Sequence, residues 1–120
     1  EMLNSTINII SDLTKNDKRI TKNLENYWPF SASEAILMEA VKKGADRQKM
    51  HEILREISMK AWQEMYSGKE NPMGNLILAS EEIKKYLSAA DIKKILEVKN
   101  YIGNAVQKSL TLANQIDKLN

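Results

Sequence analysis

Asp46-Arg-Gln-Lys-Met50-His-Glu-Ile-Leu-Arg55-Glu-Ile-Ser-Met-Lys60-Ala-Trp-Gln-Glu-Met65-Tyr66 is the stretch that decides the fold. Met50, Ile53, Leu54, Ile57, Ala61 and Met65 recur at i, i+3, i+4 and i+7, the period of a helix with an apolar stripe. Asp46 has the side chain of an N-cap, able to cover a free amide of the first turn. Met59, Trp62 and Tyr66 make a second stripe, about 100° further round the same helix. Two apolar faces predict a helix sandwiched between partners. No segment of the chain alternates apolar and polar residues as a strand does, so the expected fold is all-α, a bundle of about six to seven helices.

On the C-terminal side, Gly68 through Gly74, with Asn71-Pro72, reads as a loop. Leu76 to Ala79 is a short apolar run, and Ser80-Glu-Glu opens a turn or two of helix through Leu87. Ser88-Ala-Ala-Asp91 has the spacing of a capping box, with Ile92, Ile95 and Leu96 behind it. Asn100 and Gly103 mark a junction. A final helix reaching Leu119 then spreads Ile102, Ala105, Val106, Leu112, Ala113, Ile116 and Leu119 over one arc.

On the N-terminal side, Gly44 after Lys42-Lys43 supplies a helix stop. The helix before it carries Ile36, Leu37, Ala40 and Val41 inward, and Ser31 with Glu34 has capping-box spacing at its start. Trp28 precedes Pro29, which disfavours helical backbone at Trp28 and predicts a break there. A short helix capped by Asp17 would place Ile20, Leu24 and Tyr27 on one face. Met2, Leu3, Ile7, Ile9, Ile10 and Leu13 cover roughly 160° of a first helix, wider than the stripe of an ordinary surface helix. That arc, in a chain opening on Glu1, predicts the end of a longer helix separated from its neighbours.

Composition narrows the classes. Lys plus Arg number 18 against 16 Asp plus Glu, a balance that argues against a nucleic-acid or anionic-membrane surface. The chain has 120 residues and no cysteine, which removes disulfides, thiol nucleophiles and thiolate metal sites. It also fits a reducing, cytoplasmic compartment. No apolar run approaches the roughly 20 residues of a membrane span.

Candidate chemistry is sparse. His51, the one histidine, sits at the edge of the Met50/Ile53/Leu54 stripe, and Glu52 beside it points away. Neither Glu56 nor Arg55 completes a familiar metal-ligand pattern with His51. The carboxylate pairs Glu81-Glu82 and Glu52/Glu56 read as solvated charge among Lys49, Arg55 and Lys60. Gly74 and Gly103 are isolated and cannot cradle a phosphate. Tyr27-Trp28-Pro29-Phe30 suits a packed helix junction, or else the wall of a ligand site. No catalytic, substrate-binding or metal residue is assigned, and no cofactor.

Several of these junctions resemble the adenylosuccinate lyase family of the fumarase/aspartase superfamily. Asn23-Leu24-Glu25-Asn26-Tyr27-Trp28-Pro29-Phe30-Ser31-Ala32-Ser33-Glu34-Ala35-Ile36-Leu37-Met38 is similar to that family's N-L-E-x-x-x-P-F-x-A-T-E-x-I-x-M, with Ser33 in place of Thr. Val41-Lys-Lys-Gly44, Arg47, His51-Glu52 and Ile57 follow in the family's order. Tyr101-Ile102-Gly103-Asn104-Ala105 resembles the aromatic-x-G-x-A element that opens its last helix. The resemblance covers about residues 1–112. It implies that residues 1–14 end a central-bundle helix and residues 15–120 form the C-terminal all-helical domain. It further implies a parent that eliminates fumarate from adenylosuccinate, and from the succinylated aminoimidazole carboxamide ribotide, as a homotetramer built through central bundles. The family's serine-rich loop, S-S-x-M-P-x-K-x-N-P, is not in this sequence, and its catalytic histidine lies upstream of that loop. No active-site role therefore passes to any residue here, His51 included, and the piece alone is expected to be inactive. A different class stays open: a free-standing interaction module whose wide apolar arcs bind partner helices.

Overall fold

A computed structural model describes residues 1–118, and the described residues form seven α-helices and one 3₁₀ turn, without strands. The helices are α1 Met2–Ser11, α2 Asp17–Lys42, α3 Arg47–Tyr66, α4 Met73–Ala79, α5 Glu81–Lys84, α6 Ala89–Leu96 and α7 Ala105–Asp117. The 3₁₀ turn, Val98–Tyr101, links α6 to α7.

The core lies between α2, α3, α4 and α6. Ile36, Leu37 and Ala40 of α2 meet Met50, Leu54, Ile57 and Ala61 of α3, and Met73, Ile77, Ile83, Leu87 and Ile92 close the other side. Val41, Ile53 and Leu96 pack against it half-buried. No polar or charged residue is buried among the described residues. The stripe in residues 50–65 is thus the inner face of α3, as its spacing predicts.

Local chemistry sets the corners. At the end of α2, Gly44 takes φ +93°, which an L side chain adopts only with strain. Its amide donates to the Val41 carbonyl at 2.9 Å and the Ala45 amide to the Ala40 carbonyl at 3.0 Å. This is a Schellman ending, and buried Ala45 supplies its hydrophobic contact. Gly68, at φ +84°, repeats the device after α3. Asp46 accepts from the Lys49 amide at 2.7 Å, and both bonds of the Ser88/Asp91 capping box are made.

Four expectations need correction. First, α2 does not break at Trp28: one helix of 26 residues runs through Pro29. Its N-cap is Asn16, which accepts from the Arg19 amide, not Asp17. Ser31 is exposed mid-helix and caps nothing, while the Ser33 hydroxyl turns back to the Phe30 carbonyl. An interior proline costs about 3 kcal/mol. Continuity through it is favoured by the packing of Phe30, Ala32, Ile36 and Leu37, which hold the following turns on the core. Second, the outer stripe of α3 is not sandwiched: Met59 and Tyr66 are exposed, and only Trp62 is half-buried. Third, the loop is shorter than 68–74, since α4 starts at Met73 and Gly74 is helical. Packing explains this, because Met73 and Ile77 are both fully buried and draw the backbone into a turn of helix. Fourth, the arc of the final helix covers no core: α7 begins at Ala105 and none of its residues is buried. Leu119 lies outside the described residues.

α1 is equally bare, with Met2 at 85% and Leu3 at 78% exposure. The molecule is accordingly elongated, 59 × 35 × 22 Å, with a radius of gyration of 19.8 Å. A compact chain of this length would have roughly 13–14 Å.

Candidate functional site

His51 lies exposed on α3, over a shallow groove lined by Ser33, Glu34, Leu37, Leu54, Arg55 and Ser58. No hydrogen bond to its ring exists among the described residues, so nothing there orients a tautomer for proton transfer. Glu52 turns to Arg55 instead, accepting from Nε at 2.9 Å and from a terminal nitrogen at 2.6 Å. That fork holds the Glu52 carboxyl below its ordinary range. Glu82 is held low by hydrogen bonds from Lys85 and Lys49, and Lys49 is raised in return. Glu81 pairs with Lys84 at 2.8 Å. Glu81 and Glu82 are thus split between separate lysines on an exposed surface, and of Glu52 and Glu56 only Glu52 is held by a cation among the described residues. Glu52 and Glu82, held low in this way, make poor general acids.

The aromatic cluster divides. Phe30 stacks on Trp62 of α3 with ring centroids 4.6 Å apart, Tyr27 lies 6.3 Å from the same ring, and Tyr66 continues the stack at 5.7 Å. Trp28 faces the opposite way. Its ring meets Tyr101 at 4.9 Å and its Nε1 donates to the Leu96 carbonyl at 2.7 Å. These contacts make the cluster a helix junction, as its composition suggests.

The cleft between α2 and α6 is lined by Met38, Glu39, Lys43, Asp91, Lys94 and Tyr101. Within it Lys43 and Asp91 pair at 2.8 Å, and that bond, with Ser88, holds the Asp91 carboxyl low. Among the described residues no three His, Cys, Asp or Glu side chains converge as metal ligands. No described helix is long and apolar enough to cross a membrane.

Sequence reading missed Asn71. Its Nδ2 donates to the Asn26 carbonyl in α2 at 2.6 Å, while its Oδ1 accepts from the Met73 amide at 2.9 Å. The signal was present: asparagine before proline at a helix start is an Asx-turn pattern.

Fold and surface together define a class: an all-helical domain whose clustered side chains build helix junctions, with two apolar helices left uncovered. Residues 29–108 match the family model described as adenylosuccinate lyase C-terminus, and the chain belongs to that family. Over 98% of its length it is 31% identical to an adenylosuccinate lyase of Archaeoglobus fulgidus. It is 31% identical over 88% of its length to that of Methanocaldococcus jannaschii, and 32% over 86% to that of Helicobacter pylori. The chain spans only 26%, 22% and 24% of those relatives, about a quarter of each.

Proposed function

We propose that this chain is the C-terminal domain of an adenylosuccinate lyase, structural in itself and without activity alone. The parent would eliminate fumarate from adenylosuccinate, giving AMP, and from the succinylated carboxamide ribotide of purine synthesis. That reaction needs a base for the proton α to a carboxylate, an acid for the leaving nitrogen and stabilisation of the anion between them. The carrying observation is that the matched residues 29–108 enclose every buried side chain, from Ala32 to Ile92. The likeness therefore resides in the folded core and not in a short motif. Residues 1–14 would continue a central-bundle helix of the parent, residues 15–120 would form the domain, and bundles of sister subunits would assemble a cytoplasmic homotetramer. No cofactor enters this reading.

Fumarate release followed by absorbance tests it. The isolated chain is expected to show none. Joined in frame to the remainder of the Archaeoglobus fulgidus relative, in place of that protein's own last quarter, it is expected to support turnover. Activity of the isolated chain that survives repurification, or a folded hybrid that is dead, would overturn the reading. The bare apolar faces of α1 and α7 favour the second reading, a partner-binding module, and a dead, folded hybrid would favour it further.

A further inference from the structure

Two backbone groups that helix ends leave without partners, and one carbonyl in the turn around Pro29, are met here by the side chains of Asn71 and Trp28. A proline inside a helix has no amide to donate and crowds the carbonyl four residues earlier, loosening the ladder around it. In α2 that disturbance falls between Glu25 and Phe30, and the Asn26 carbonyl inside it accepts from Asn71 Nδ2. The same Asn71 caps the Met73 amide, one of the free donors at the start of α4. On the other flank, Trp28 Nε1 donates to the Leu96 carbonyl, one of the free acceptors at the end of α6. Asn71 thus ties α2 to α4, and Trp28 ties α2 to α6.

The ties matter because the segment before them has little packing of its own, the Tyr27 ring beside Trp62 being its chief side-chain contact. Residues 17–25 are all exposed, as is the whole of α1. The first residue of α2 that the core buries is Ala32, beyond the proline. A helix that buries nothing has no packing to hold its angle, and a proline is where a helix bends most readily.

We infer that Asn71 and Trp28 form a clasp on a proline hinge, setting the angle at which the first half of α2 leaves the core. The first half of α2, an arm that is one continuous helix from Asp17, swings as one body when the clasp opens, and it keeps one direction only while both bonds are made. This holds whatever reaction the parent carries out, so its failure would leave the proposed function untouched.

The chain has no cysteine, so a pair of introduced ones labels it uniquely. Spin labels at Lys22→Cys on the arm and Lys60→Cys on α3, both exposed, report the angle as a distance distribution. Asn71→Asp keeps the cap on Met73 but sets an oxygen against the Asn26 carbonyl. Trp28→Phe keeps a ring and loses the indole donor. Each is expected to broaden the distribution roughly twofold, with helix content and core amide protection retained. Asn75→Asp, on the exposed side of α4, is expected to change nothing. Wild-type distributions in both folded variants, or a wild-type chain already as broad as they are, would overturn the clasp. Should Asn71→Asp fail to fold, Trp28→Phe carries the same test alone.

Discussion

Phe30 shows how one side chain serves two elements. It is half-buried, packed on the core from α2 and stacked on Trp62 of α3. A fully buried phenylalanine loses about 3–5 kcal/mol on truncation to alanine. Phe30 keeps some solvent contact, so Phe30→Ala is expected to cost about 2–3 kcal/mol, read from urea denaturation. A loss below about 1 kcal/mol would mean that the stacked ring contributes little to the junction. At this scale the sequence was legible wherever a residue type carries its own chemistry. Asp46, Ser80, Ser88 and Gly44 all act as their spacing predicts. Pro29 misled because its local preference was outweighed by packing that lies far off in the chain, against α3 and α6. Asn71 was missed because its partner, Asn26, is 45 positions away.

Among the elements, α6 depends most on charge. Asp91 closes its capping box and also pairs with Lys43 of α2, joining helix start and helix packing at one carboxylate. Its pKa in the folded chain is lowered, chiefly by the Lys43 bond. A lowered carboxyl adds stability that is complete above the ordinary aspartate range and fades as pH falls through the folded value. Asp91→Asn keeps an acceptor for the cap and removes the charge. Its melting temperature is expected to lie below wild type at neutral pH, with the gap closing as acid protonates Asp91. A gap that stays constant into acid would mean that the charge contributes nothing. Element type was legible from the 3.6-residue period nearly everywhere. Which apolar stripe faces inward was not: Met59 and Tyr66 have the right spacing, yet of that stripe only Trp62 meets another helix among the described residues.

For the whole molecule, the core accounts for the middle of the chain and both ends stand clear of it. Met2, Leu3, Ile7, Ile9, Ile10 and Leu13 all remain exposed, together with Val106, Leu110, Leu112 and Ile116 of α7. Apolar surface gathered in this way is uncommon on a soluble monomer. The full chain is therefore expected to associate at high concentration, and a chain lacking residues 1–14 to shift towards monomer in sedimentation. Two monomeric species would show that α1 is not the contact. The candidate chemistry was legible chiefly as a deficit: His51, Glu52/Glu56 and Glu81-Glu82 reach no common point, Glu52 being taken up by Arg55 and Glu81 and Glu82 by separate lysines.

Among the described residues the core contains no buried polar or charged residue. An interior of aliphatic side chains rewards burial in almost any arrangement that fills the space, so it supplies stability more readily than a single register. Uniqueness is then favoured at the rim, where the Trp28 indole and the Asn71 amide each meet one fixed carbonyl. Stripped of both, the molecule would keep its helices and its compact centre but exchange among several packings, losing sharp side-chain signals long before losing helical circular dichroism.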